Sequence, residues 1–204
     1  MKKNIDQGDL AQSVFLLQPS RPILCTTINT DGSLHVAPFS WINPVSHKPP
    51  RVAMALLNKP KKQNSLVNIE RTGEFVVNVP SLELAEKLVE CSYLIKEGEN
   101  KFRRAGFNVL PSVKVSPPGI QECKAHLECK VINSLDAGDH TLLVADILQA
   151  SYEEGAYSSN LLINLERFTP AIHILNYVLD KSQVHVFLKP CGSHTIEVPY
   201  PDNQ

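Results

Sequence analysis

The run from Cys123 to Val131 constrains this chain more than any other stretch. Cys123, Ala125, Leu127, Cys129 and Val131 alternate with Lys124, His126, Glu128 and Lys130. Successive side chains of a strand point to opposite faces, so this pattern predicts a half-buried strand with an apolar inner face and a polar outer one. After a turn over Asn133 to Asp139, the run Thr141 to Leu148 returns as its antiparallel partner. So short a connection leaves no room for the crossover that a parallel pair requires. The same economy appears earlier. Ile23 to Ile28 is rich in β-branched residues and leads through Asp31-Gly32, a type I′ hairpin signal, into Leu34 to Trp41. Pro38 has no N–H to give and belongs at a bulge or an edge. The chain reads as antiparallel β rather than as a doubly wound sheet.

The remaining segments fit that frame. Residues 1–9 are polar and predicted to fray, and Leu10 to Leu17 suits a short helix or a lead-in strand. Arg51 to Leu57 is a further apolar run. A helix is expected from Asn64, with Leu66, Val67 and Ile69 facing one way and Gly73 just past its end. Glu74 to Val79 is a short strand. Ser81 is placed to cap a helix over Leu82 to Val89, in which Leu84 and Leu88 lie four apart. Lys96 to Arg104 reads as a loop followed by a helical turn, and Pro111 to Gly119 as connection. Leu161 to Ile163, Ala171 to Leu175 and Val184 to Leu188 are later short apolar runs, and Pro190 to Gln204 is a polar tail. Many short strands, frequent turns and few helices predict a mainly β fold, a barrel with α decoration. The chain of 204 residues suits one domain, with a lead-in over 1–20, the domain over 21–178 and an extension over 179–204.

Composition limits the partners. Hydrophobic residues make up 43% of the chain, enough for a sizeable core, and a net charge of −1 gives no basis for expecting nucleic acid. No window approaches the ~18 apolar residues of a membrane span. The five cysteines are scattered, and Ile5 to Asp9 lacks the apolar core of a signal peptide. The expectation is a cytoplasmic protein with reduced thiols.

Local chemistry is sparse. Cys123-x-x-His126-x-x-Cys129 has metal-like spacing, but strand alternation sets His126 opposite the two cysteines, so no metal is expected there. Cys191, near His194, has the composition of an exposed thiol, although an ordinary loop explains it as well. No Walker A loop, no Gly-x-Gly-x-x-Gly and no Gly-x-Ser-x-Gly is present. Lys61-Lys62-Gln63-Asn64-Ser65 offers another route to a phosphate: a helix start has unpaired N–H groups and partial positive charge, beside lysines and a hydroxyl. Asn64 or Ser65 capping the helix, with the lysines in solvent, accounts for the same residues. His140 follows the turn Gly138-Asp139, and His173 lies in an apolar run; each has an equally ordinary structural reading.

Several segments in order carry a resemblance. They are Thr26-Thr27 with Asp31-Gly32 and Ala37-Pro38-Phe39-Ser40-Trp41; Ser46 with Pro49-Pro50; Asn64-Ser65-Leu66-Val67-Asn68-Ile69; Gly73-Glu74-Phe75-Val76-Val77-Asn78; Lys101-Phe102 with Ala105-Gly106; and Gly138-Asp139-His140-Thr141. From about Arg21 to Tyr177 the chain resembles the flavin reductase-like family, whose members bind FMN in an antiparallel, Greek-key split β-barrel. The resemblance implies that the backbone of Ala37, Pro38, Phe39, Ser40, Trp41, Ile42 and Asn43 lines the isoalloxazine, with strand amides serving its polar edge. It implies that Lys61 or Lys62, Asn64 and Ser65 hold the phosphate, and that Lys101, His140 and His173 lie close to the flavin. It further implies a homodimer, NADH or NADPH as reductant, and a small acceptor or redox protein as partner. His140 is the candidate catalytic residue, orienting the reductant or polarising the flavin edge. The alternative is an electron carrier similar to flavoredoxin. The chain departs from the family pattern where Asn64-Ser65 stands for Asp-Thr, Ala145-Asp146 for Gly-Glu, and Ile174-Leu175-Asn176 for glycines.

Overall fold

The structure, a computed structural model, describes residues 2–93, 99–179 and 182–188. Its centre is a seven-stranded sheet of β1 (Ile23–Ile28), β2 (Leu34–Phe39), β3 (Ile42–His47), β4 (Pro50–Leu57), β5 (Glu74–Val79), β8 (Ala125–Asp136) and β9 (His140–Tyr152). The spatial order is β2-β1-β5-β8-β9-β4-β3, and every pairing is antiparallel. The two edge strands, β2 and β3, are consecutive in sequence and separated only by Ser40-Trp41. The sheet therefore curls until its edges meet at that corner, which makes a barrel split along one seam. Pro38 sits on edge strand β2, where its missing N–H costs no ladder bond.

Two apolar clusters are found among the described residues. One occupies the barrel and gathers Cys25, Met54, Leu56, Leu66, Ile69, Phe75 and Cys129, all at most 2% exposed. Full burial of a side chain the size of Phe75 contributes about 2–3 kcal/mol. The second cluster, with Leu24, Val36, Leu88, Cys91, Phe102 and Cys123, lies under the helices α2 (Ala85–Ser92) and α3 (Lys101–Arg104). Short β6 (Val109–Leu110) and β7 (Gly119–Ile120) pair beside it, and β10 (Ile172–Leu179) and β11 (Ser182–Leu188) form a separate ribbon.

The helix α1 (Asn64–Thr72) starts at the expected residue and ends where Gly73, at φ +72°, turns left-handed and donates its N–H to Ile69 O. Val67 does not share the buried face of Leu66 and Ile69; it is 45% exposed. Asn68 takes its place inside, donating to Thr27 Oγ1 and Asn29 Oδ1.

Other expectations change in detail. The Asp31-Gly32 turn is not type I′, because Asp31 keeps a negative φ; a hydrogen-bonded turn from Asn29 to Gly32 ends in a left-handed glycine. Ser81 makes no side-chain cap, and a 3-10 turn, Leu82–Leu84, precedes α2. The lead-in forms a 3-10 helix, Gln7–Leu17, with no buried residue. Leu161 to Ile163 forms no strand of its own and joins Tyr157 by an isolated bridge.

The largest change concerns the opening pattern. Its strand begins at Ala125, after Cys123, and a register shift between Glu128 and Cys129 breaks the alternation. Cys123 and Cys129 consequently belong to different clusters and share no face. The polar face is not solvated either, for His126 and Glu128 are each 7% exposed. The proline-rich connection folds over them. Glu128 accepts from the backbone N–H groups of Val113 and Lys114, and His126 Nε2 lies 2.7 Å from Ile120 O. Burial lowers the His126 pKa from its usual value.

Candidate functional site

The first turn of α1 is the best-prepared anion seat among the described residues. Val67 N–H makes the helix's first i→i−4 bond, to Gln63 O, so the N–H groups of Asn64, Ser65 and Leu66 have no partner among the described residues. No side chain caps this end: Gln63 turns back, and its Oε1 accepts from Leu57 N–H at 3.0 Å. Ser65, a residue bordering the adjoining cavity, is 1% exposed, and its buried hydroxyl has no hydrogen-bond partner among the described residues. Left unmet, a buried hydroxyl costs roughly 1–3 kcal/mol. Helix dipole, three amides and an orphaned hydroxyl converge on one point. The capping role considered for Asn64 and Ser65 is thereby excluded.

The two lysines separate. Lys62 Nζ is held by both carboxylate oxygens of Glu70 at 2.8 Å, whereas Lys61 has no charged partner among the described residues. Both line the same cavity of about 690 Å³, with His35, Ala37, Pro38, Phe39, Ser65 and Lys101. Lys101 donates to Cys91 O at 2.9 Å, and burial lowers its pKa. Burial and the Lys101 charge together push His35 down to about 4, so it is neutral at pH 7.

Pro38, Phe39, Gln63 and Ser92 also border a second, more apolar cavity of about 250 Å³. Ser40, Trp41, His140, His173, His185 and Phe187 are among its other walls. The Trp41 and His140 rings lie 4.6 Å apart at 32°, and His140 Nδ1 is 2.7 Å from Asp139 Oδ1. On the opposite ribbon His173 is buried against Phe187, and its Nε2 is 3.3 Å from His185 Nδ1. Burial, then the neighbouring His185, lowers the His173 pKa. The result is a slot walled by rings and opening onto an anion seat.

Most of the sequence-predicted residues are therefore brought together, although far apart in the chain. Two are not. The Ile42 side chain is 9% exposed within the barrel core, and Asn43 points away from both cavities as an exposed residue of β3. At those positions only backbone is available to a ligand. Sequence reading missed His185, Phe187 and His35. The first two had a signal: alternation in Val184-His185-Val186-Phe187 places both on one face, and pairing of β11 with β10 sets Phe187 opposite His173. Cys191 and His194 lie outside the described residues.

The model of the flavin reductase like domain matches residues 17–171. The chain belongs to that family. It is 32% identical over 171 residues to an uncharacterized protein of Aquifex aeolicus, covering 82% of this chain and 87% of the other. Among solved structures it is similar to nitrilotriacetate monooxygenase component B from Bacillus cereus, with a TM-score of 0.81, 19% identity and coverage of 96% and 98%. It is also similar to flavoredoxin of Desulfovibrio vulgaris, with a TM-score of 0.74, 20% identity and 97% of each chain covered. The fold is the family's split barrel. Family membership makes a flavin the cofactor or substrate of this chain and places it among oxidoreductase-type flavin proteins. No helix among the described residues is long and apolar enough to cross a membrane.

Proposed function

We propose that this chain binds FMN and passes reducing equivalents from NADH or NADPH through it to free flavin or another small acceptor. The observation that carries the reading is the buried, unpartnered Ser65 hydroxyl beside three unpaired helix amides, because a phosphate monoester supplies the acceptors that all four donors lack. Lys61 adds the balancing charge, while Asn64 and Lys62 flank the seat. Ala37, Pro38, Phe39, Ser40 and Trp41, with the backbone at Ile42 and Asn43, line the ring side. FMN held there would supply hydride acceptance at N5 and electron release singly or in pairs. The protein's own work is positional. Trp41, Phe187 and His173 wall the slot, Lys101 borders the adjoining anion seat, and His140 stands where it orients an incoming ring.

The working form is a homodimer in the cytoplasm. Trp41 (42%) and Val45 (54%) are exposed along the β3 edge, apolar surface that a second copy would cover. The four described cysteines are free and buried, as reduced thiols would be. Residues 1–20 are a lead-in. The domain runs over 21–178, with 179–204 as an extension whose β11 pairs with β10 and whose Phe187 packs on the second core cluster.

Anaerobic addition of NADH or NADPH to the FMN-loaded protein tests the reading. Rapid bleaching of the visible flavin band is expected. A flavin bleached only by a reduced protein partner would make the chain a carrier similar to flavoredoxin instead.

A further inference from the structure

One buried side chain of the anion cavity has neither a partner nor a role. Side chains alternate along edge strand β2, so His35 shares a face with Ala37 and Phe39. All three line the cavity of about 690 Å³ that Ser65 borders. Phe39 stands where that cavity joins the aromatic slot. His35 and Asn64 stand where it joins a larger cavity of about 980 Å³, at the first turn of α1. The strand thus leads from the ring walls to the anion seat, and His35 is the residue it brings there.

His35 is 6% exposed, and its ring nitrogens have no hydrogen-bond partner among the described residues. An imidazole buried in that state is costly, as the Ser65 hydroxyl is, unless something else meets its polar atoms. The charged groups around it come from several elements. Lys101 and Arg103 stand on α3, Glu99 just before it, Asp31 on the turn between β1 and β2, and Lys61 and Lys62 ahead of α1. Lys62 is already paired with Glu70. On α2, Cys91 lines the same cavity with its thiol pushed up to about 11 by burial, so it stays neutral. Burial, then the Lys101 charge, hold His35 down at about 4. An anion in the seat opposes the second cause, since a negative charge within about 4–6 Å raises an imidazole pKa by about one to three.

We propose that His35 is a further ligand of the anion seat, reaching it from β2, and that its imidazole takes up one proton from solvent when a flavin phosphate dianion binds. The inference rests on the flavin reading above and adds proton linkage to the same site. A phosphate monoester gains its own second proton near pH 6, at about the pH where its hold on helix amides would begin to weaken. A titrating His35 offsets that loss. The complex holds one proton in either case, whether the phosphate or the solvent carried it before binding. The residue therefore keeps flavin phosphate bound through the mildly acidic range.

Fluorescence titrations of the apoprotein with FMN and with riboflavin, at about pH 7 and about pH 5, test this in the wild type, His35→Gln and His35→Asn. The two amides keep a donor near one or the other ring nitrogen but do not titrate, and thermal melting at each pH reports that the variants fold. Riboflavin lacks the phosphate, so it reads any pH effect that belongs to the slot, where His140, His173 and His185 lie. Relative to riboflavin, wild-type affinity for FMN is expected to change by less than about threefold between the two conditions, and that of both variants to fall about tenfold at the lower pH. Parallel pH profiles in wild type and variants overturn the proposal, even where the variants bind more weakly throughout, because they make His35 structural. A wild-type affinity that itself falls about tenfold overturns it as well. Failure of FMN to bind at either pH would instead remove the flavin reading, and this inference with it.

Discussion

Replacing Ser65 by alanine should make the empty protein no less stable while weakening its hold on flavin phosphate. In an ordinary core a buried serine bonds to a neighbour, and its loss leaves that neighbour unpaired. Here the hydroxyl is 1% exposed and has no partner to strand. Ser65→Ala therefore removes an unmet group whose burial costs roughly 1–3 kcal/mol, and alanine is also the better helix former by about 0.5 kcal/mol. Apoprotein stability is expected to stay level or rise by about 1 kcal/mol. Binding moves the other way. A hydrogen bond to a charged group contributes about 1.5–3 kcal/mol, so the Kd for FMN should rise roughly 10- to 150-fold. Denaturant unfolding of the apoprotein and a fluorescence titration with FMN read the two halves separately. A destabilised apoprotein with unchanged FMN affinity would refute the reasoning, since it would make the hydroxyl structural.

Further expectations follow from the same geometry. Lys61→Ala should weaken FMN roughly two- to fivefold and lose that effect in high salt, as an exposed charge pair would, whereas Lys62→Ala, already neutralised by Glu70, should leave Kd unchanged. His140→Ala should leave FMN affinity intact and slow reduction by the nicotinamide nucleotide in stopped flow; unchanged turnover would remove its assigned role. Gly119→Ala would drive a Cβ to 2.9 Å from His126 Cδ2 in a fully packed corner, at a cost of about 1–3 kcal/mol in urea unfolding. His35 has a folded pKa of about 4 against its usual 6.5, so the unfolded chain binds the extra proton between those values. Stability should be complete above pH 6.5 and fall by up to about 3 kcal/mol as pH drops toward 4. His35→Gln should flatten that slope.

Much of the fold was legible because its signals are local. Asp31-Gly32, Gly73 and Gly138 mark turns that the structure uses, and Pro38 correctly announced an edge strand. The errors arose where tertiary contact overrides period. Val67 reads as inward because it is apolar, yet Asn68 is buried there, since Thr27 and Asn29 offer it hydrogen bonds. His126 and Glu128 read as outward because they are polar, yet a proline-rich loop covers them and satisfies both with backbone groups. The site was legible only through the family resemblance. Nothing local distinguishes Ser65 from a helix cap; the distinction lies in Gln63 turning its side chain back to Leu57. His35 and His185 escaped notice because their neighbours in the site come from distant strands.

Comparison of FMN with riboflavin tests the central claim most directly, because the two ligands differ only in the phosphate that α1 is proposed to seat. Titrated into the apoprotein and followed by flavin fluorescence, FMN should bind at least about 100-fold more tightly, the contribution of two or more charge-assisted hydrogen bonds. Equal affinity for riboflavin would contradict the account, because the Ser65 hydroxyl and the helix amides would then have no part in holding the ligand.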